Sequence, residues 1–264
     1  MKPAIFLILL LTTTHSFARQ ALQQPFKDYQ LKGSTTIYNY HEKKWTYTDT
    51  ADARKASLPA STFKIINLLI ALETGVIKDG NVVVKWPGAT DTTLYGYRPD
   101  IYHDISVKEA FVVSAGWAFI ELAKKIGVKR YRRYLKAAGY GNGDALQHWP
   151  DFWNFGSFAI SPEDQIKFLV KVYENKTPFA KRNTDILKSV MLTEETNQYK
   201  IYSKTGWTRD SGIDSGWWTG YIVSKGNVWF FATRITKPLK EQNSNFSAAR
   251  KEITKNILRQ LGAM

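Results

Sequence analysis

The order of patterns along this 264-residue chain predicts an α+β fold. A central antiparallel sheet is built from the N- and C-terminal parts, flanked by helices, with a helical subdomain inserted between them at roughly residues 76–197. Three observations predict it. Two β-rich runs come early, "TTIYNY" (35–40) and "KWTYTD" (44–49), joined by a polar turn. The middle carries helix caps and helical periodicity. After residue 198 the period changes: "QYKIYSKT", "GWWTGYIV" and "VWFFATRI" are rich in aromatic and β-branched residues, with "SKGN" as a hairpin turn between the last two.

The elements follow in order. Residues 1–18 read as a signal peptide: Lys2 is the charged start, Ile5–Leu11 the apolar stretch and Ser16-Phe17-Ala18 a small-x-small cleavage site. The mature chain is expected to start near Arg19, periplasmic or secreted, as one catalytic domain over 19–264. The apolar run is too short to span a bilayer and no later run is longer, so no stable membrane insertion is expected after cleavage. "STFKIINLLIALETG" (61–75) is apolar nearly all round, with Pro59 before it and Gly75 closing it, which predicts a buried helix. Ser106 with Glu109, and Ser161 with Asp164, have capping-box spacing before "AFVVSAGWAFIELAKKIG" and "QIKFLVKVY". "TRDSGIDS" (208–215) reads as a loop, and a last helix occupies about 247–262.

Composition narrows the function. The chain has no cysteine, hence no disulfide framework, thiolate metal site or thiol nucleophile. Its formal charge of +14 could meet anionic small substrates or envelope polymers. The basic residues are scattered, and "KRYRR" (129–133) reads as a solvated helix face, so no nucleic-acid partner is expected. The four histidines are far apart and no HExxH, Walker or GxGxxG motif occurs, so no metal or organic cofactor is expected.

The chemistry gathers at "PASTFKII" (59–66). Ser61 and Lys64, three apart, share one helix face. Ser61 stands in the first turn, where unpaired N–H groups favour negative charge. Lys64 stands inside an apolar helix, where burial lowers a lysine's pKa, and a neutral amine can act as a base or react with carbon dioxide. The plain alternative is an N-cap serine with a lysine that snorkels to solvent. Downstream, "SKTGW" (203–207) brings Lys204, Thr205 and Gly206 to a strand's end, where a glycine lets substrate approach the backbone and Lys with Thr can hold a carboxylate. Ser-x-x-Lys followed by Lys-Thr-Gly is the signature of penicillin-recognising acyl-serine enzymes.

The sequence resembles the class D, oxacillinase-type β-lactamases over nearly all the mature chain. The matching pieces are "PASTFK", "SAGW" in place of a Ser-x-Val element, "YGN" (140–142), "FW" (152–153), "KTGW" and Arg250, which shares a helical face with Ile253 and Ile257. The resemblance implies a β-lactamase/transpeptidase-like fold, no organic or metal cofactor, and small β-lactam substrates acted on by a monomer or homodimer. It implies Ser61 as nucleophile and Lys64 carbamylated on its side-chain nitrogen (N6-carboxylysine, formed with carbon dioxide or bicarbonate) as general base. By the same likeness Trp153 donates to the carbamate and Ser114 relays a proton to the leaving nitrogen. Lys204 supplies positive charge, Thr205 and Arg250 bind the substrate carboxylate, and the N–H groups of Ser61 and Trp207, beside Gly206, form the oxyanion hole. Tyr140 and Asn142 shape the site. One departure is Gly116, where the family has valine. Glycine removes a wall of the lysine pocket, which predicts weaker carbamylation and slower deacylation unless Trp117 fills the gap. The expected activity is hydrolysis of penicillin-type β-lactams, hence antibiotic resistance. A penicillin-binding sensor or D,D-peptidase-like protein that deacylates slowly is the alternative.

Overall fold

The structure is a computed structural model that describes residues 21–264; the expected signal peptide lies outside them. The chain opens with a short helix over 21–28, α1. Strand β1 (Lys32–Asn39) then pairs antiparallel with β2 (Lys44–Tyr47) on one side and with the C-terminal strand β8 (Asn227–Pro238) on the other. With β7 (Ile213–Ser224), β6 (Tyr199–Asp210) and β5 (Leu192–Glu195), these make one antiparallel sheet in the order β2-β1-β8-β7-β6-β5. The sheet expected from the two chain ends is therefore present. β5 extends it at one edge, so the inserted helical segment gives way to strand at Leu192.

The sheet is a middle layer because both its faces are apolar. On one face α1 and α10 (Phe246–Gln260) pack through Phe26, Ile235, Phe246, Ile253 and Ile257. The other face meets the larger core, which includes α2 (Lys64–Glu73), whose residues from Lys64 to Leu72 are all buried. Around α2 stand α3 (Thr92–Tyr95), α4 (Val107–Val112), α5 (Gly116–Ile126), α6 (Val128–Ala138), α7 (Phe152–Phe155), α8 (Pro162–Tyr173) and α9 (Lys181–Met191), with a ribbon of β3 (Val83–Val84) and β4 (Ile105–Ser106). The Ser161 cap is reciprocal: its Oγ accepts from Asp164 N (3.1 Å) and donates to the Asp164 carboxylate (2.7 Å).

Two expectations are corrected. "AFVVSAGWAFIELAKKIG" is not one helix: α4 ends at Val112, α5 starts at Gly116, and Ser114 between them has φ 64°. "TRDSGIDS" is not a loop. β6 and β7 stay paired from Tyr199↔Ser224 to Asp210↔Ile213, turning at Ser211-Gly212, where Gly212 has φ 77°. The polar run continues as strand because buried Asp214 gathers Trp207 Nε1 (2.9 Å), Arg209 Nε (3.2 Å) and Lys237 Nζ (2.6 Å) across three strands. A charge held by three donors stabilises a hairpin that composition alone marks as a turn.

Candidate active site

A 3-10 turn, Ala60–Phe63, leads into α2 and carries Ser61. Ala60 has φ 51°, a left-handed conformation that costs a non-glycine residue free energy and that is held here by full burial. The geometry puts Ser61 and Lys64 on one face, and Lys64 Nζ donates to Ser61 Oγ at 2.7 Å. Lys64 is 0% exposed, so it does not snorkel, and its ammonium would lie 5.3 Å from the centroid of the Phe119 ring. Burial lowers its pKa to about 8, opposed by the charge of Asp151. Ser61 is not an N-cap: Pro59 caps the turn and Phe63 caps α2.

The remaining expected residues converge on this pair. Lys204, on β6, donates to Ser114 Oγ at 2.9 Å; burial, then the charges of Lys64, Arg250 and Lys251, pushes its pKa well down. Ser114, at the break between α4 and α5, thus presents its hydroxyl to Lys204 on β6. Arg250 projects from α10 and donates from Nη1 to the carbonyl of Gly206 (2.7 Å), while its Nε is buried without a partner among the described residues. Burial lowers its pKa to about 10. Gly206 lets β6 lie against the Ser61 turn: a Cβ there would stand 2.8 Å from the Pro59 oxygen and 3.2 Å from Ser61 N. Thr205, Trp207 and Arg250 line, with Ser61 and Ser114, an open cavity of about 490 Å³. Trp207 is 42% exposed at its mouth. Tyr140 and Asn142 stay out of that lining: Tyr140 is buried against Phe63, and Asn142 pins Ser157 and Ala159.

Trp153 is fully buried and stacked on Phe63 (5.0 Å, 6°), and its indole N–H has no acceptor among the described residues. A buried donor left orphaned costs about 1–3 kcal/mol, and this one belongs to a ring stacked on Phe63, the residue before Lys64. On that test the residues fit a carbamate. At Gly116 a Cβ would find no atom within 4 Å apart from the adjoining chain. Trp117 is committed elsewhere, donating to Ile101 O (2.8 Å) and packing edge-on against Trp86.

Sequence reading missed Asp151, Tyr95 and Asn154. Asp151 is 5% exposed and accepts from the Tyr95 hydroxyl (2.6 Å) and Asn154 Nδ2 (2.8 Å). The available signal was a lone carboxylate inside the aromatic run "WPDFWNF".

Residues 24–259 match the penicillin-binding protein transpeptidase domain family. With the sheet, the Ser61–Lys64 pair and the Lys204 strand, this makes the chain one of the penicillin-recognising serine proteins. It is 36% identical over 235 residues to β-lactamase OXA-48 of Klebsiella pneumoniae, which covers 89% of this chain and 85% of that one. The solved class D β-lactamase of Sebaldella termitidis superposes with a TM-score of 0.87 at 39% identity, over 92% of this chain and 96% of that one. The regulatory protein BlaR1 of Bacillus licheniformis is 33% identical over 238 residues, 90% of this chain and 38% of that protein. The chain belongs to the class D β-lactamases.

Proposed function

We propose that this chain hydrolyses penicillin-type β-lactams through an acyl-serine on Ser61, with Lys64 carbamylated, and so confers resistance after export by the 1–18 segment to the periplasm or medium. The observation that carries it is the 2.7 Å contact between Lys64 Nζ and Ser61 Oγ, together with a buried Trp153 N–H that has no acceptor among the described residues. Carbon dioxide bound to the Lys64 amine supplies an anionic base next to the serine. Ser61 Oγ attacks the lactam carbonyl and its proton leaves toward the Lys64 side. The N–H groups of Ser61 and Trp207 hold the oxyanion, and the ring C–N bond breaks as the Ser114–Lys204 pair delivers a proton to nitrogen. Water entering on the Lys64 side then cleaves the ester and frees Ser61. Thr205 and Arg250 hold the substrate carboxylate throughout, without further cofactor or metal.

An intact-mass time course with a simple penicillin in bicarbonate buffer tests the reading. An adduct that forms and then vanishes as product accumulates supports it. The likeness to a regulatory protein, together with the open space at Gly116, favours a second reading: an adduct that persists would make this a penicillin-binding receptor.

Two substitutions probe the site. Gly116→Val fills open space in the lining of the cavity and should lower the bicarbonate needed for half-maximal activity several-fold, read by titrating bicarbonate against turnover. No change would remove Gly116 as the cause of weakened carbamylation. Arg250→Ala removes a buried guanidinium from the carboxylate side of the cavity, and steady-state kinetics should show KM raised about tenfold with kcat less affected, as expected for lost ground-state binding.

A further inference from the structure

Trp217 and Arg234 are buried donors that the chemistry above leaves unused. The sheet register sets them in one row. Gly206 on β6 faces Trp217 on β7, Trp217 faces Arg234 on β8, and Arg234 faces Ser34 on β1. Directly opposed strand residues point to the same face, and here that face carries residues 52–61, which cross the strands on their way to Ser61. Each member of the row meets one successive part of that segment. Ser34 Oγ and Arg234 Nη2 both donate to the Asp52 carboxylate, and Nη2 also donates to the Asp52 carbonyl (3.2 Å). Arg234 Nη1 donates to the Lys55 carbonyl (3.0 Å) and to Ser57 Oγ (2.5 Å). Trp217 Nε1 donates to the Leu58 carbonyl (3.0 Å), and its ring centroid lies 5.1 Å from the Arg234 guanidinium. Gly206 then leaves room for the Pro59 carbonyl and Ser61 N. A second hold comes from Ser57, which exchanges backbone hydrogen bonds with Ile160 (3.1 and 3.0 Å).

We infer that Trp217 is a positioning residue for acyl transfer: through Leu58 it sets the distance between the Ser61 turn and β6, with Arg234 holding the segment upstream. The inference rests on the acyl-serine reading above, in which the N–H groups of Ser61 on the turn and Trp207 on β6 hold the oxyanion. Gly206 permits the close approach of turn and strand but has no side chain to hold it. The Trp217 N–H supplies the hold. Leu58 stands three residues before Ser61, and the link between them is stiff. Pro59 has a ring-fixed φ. Its carbonyl accepts from Thr62 N (3.2 Å) and Thr62 Oγ1 (2.7 Å), and Ala60 is kept at φ 51°. A shift at Leu58 is therefore passed on to Ser61 N rather than absorbed. Trp217 is 0% and Arg234 4% exposed, so water does not step in for a lost donor. Trp217 does not line the cavity, so it acts through the turn alone.

The test compares Trp217→Phe, which keeps a ring beside Arg234 and deletes the indole N–H, with Trp218→Phe. Trp218 is the next residue on β7, is also buried, and donates to Ser203 Oγ (2.9 Å) from the α10 face of the sheet. Its variant loses an equivalent bond without touching residues 52–61. Two readouts are taken on the full chain. The first is the inhibition constant of phenylacetamidomethylboronic acid, whose boron bonds the Ser61 oxygen and presents a boronate oxygen to the oxyanion donors. The second is stopped-flow acylation by a chromogenic β-lactam, resolved into a saturating rate constant and a half-saturating concentration. Trp217→Phe should raise the boronate constant and lower the acylation rate constant, each by about tenfold, with half-saturation little changed, because a small displacement of the donors costs rate rather than ground-state binding. Trp218→Phe should match wild type on both. Arg234→Lys keeps the charge and loses the fork of donors. It should move both readouts the same way, and it decides the matter if Trp217→Phe does not fold. Wild-type values in Trp217→Phe, or in Arg234→Lys where it stands in, overturn the inference. So do equal losses in both tryptophan variants, the pattern of a general loss of packing. A wild type that neither binds the boronate nor is acylated overturns the acyl-serine reading itself.

Discussion

Replacing Lys64 with alanine should lower penicillin turnover by about 10²- to 10⁴-fold, the range that a positioned general base contributes. Lys64 Nζ is hydrogen-bonded to the Ser61 hydroxyl. An alanine leaves that serine with its own high pKa and nothing to take its proton. In the proposed mechanism the Lys64 side serves both attack and hydrolysis of the ester, so any adduct the variant forms should persist in intact-mass spectra, and added bicarbonate should not restore turnover. Turnover within a few-fold of wild type would sink the assignment. The variant carries a stability signature as well. The folded-state pKa of Lys64, about 8, lies below its unfolded value near 10.5. The unfolded chain therefore holds a proton that the folded chain resists, so folding is penalised below about pH 10.5 and fully so below pH 8. The penalty is about 3 kcal/mol at pH 7 and fades as pH rises toward 10.5. In bicarbonate-free buffer, where Lys64 is the free amine, wild-type stability should thus gain about 1 kcal/mol between pH 7 and 9 relative to Lys64→Ala, measured by urea unfolding.

Why these residues could be read in advance is a matter of distance along the chain. Ser61 and Lys64 are one helical turn apart, so their contact follows from local geometry once the helix is recognised. Arg250 was legible because its spacing with Ile253 and Ile257 puts it on the buried face of α10. The sheet was legible because aromatic and β-branched residues fill most of β6, β7 and β8, with a hairpin turn at "SKGN" between the last two. What was not legible depends on partners far off in sequence. The break at Ser114 is fixed where Lys204, ninety residues on, reaches its hydroxyl. The hairpin over 208–215 rests on Asp214 meeting Lys237 on the next strand. Asp151 is recognisable as a buried, hydrogen-bonded carboxyl only when Tyr95 is seen donating to it, and Tyr95 is not its neighbour in sequence.

The second large effect concerns a residue with no side chain. Gly206→Ala should cut kcat/KM by about 10²-fold, comparable to loss of an oxyanion donor. A Cβ at position 206 would stand 2.8 Å from the Pro59 carbonyl oxygen, 3.2 Å from Ser61 N and 3.2 Å from Thr62 Cγ2. Two of those atoms are backbone and cannot swing aside. The 59–61 turn must back away from β6, or β6 from the turn, and Arg250 on the Gly206 carbonyl braces the strand from behind. The donors at Ser61 and Trp207 lie on opposite sides of that seam, so opening it separates them without removing any side chain of the site. Acylation rates from stopped-flow mixing with a chromogenic β-lactam check the expectation, with near-UV circular dichroism reporting whether the fold persists. Near-native acylation in the folded variant would mean the seam yields without parting the donors, and the oxyanion hole assigned to Ser61 and Trp207 would have to be placed elsewhere. A slow but folded variant would show that the close approach of β6 to the 59–61 turn, which only glycine permits, is itself part of the catalytic apparatus.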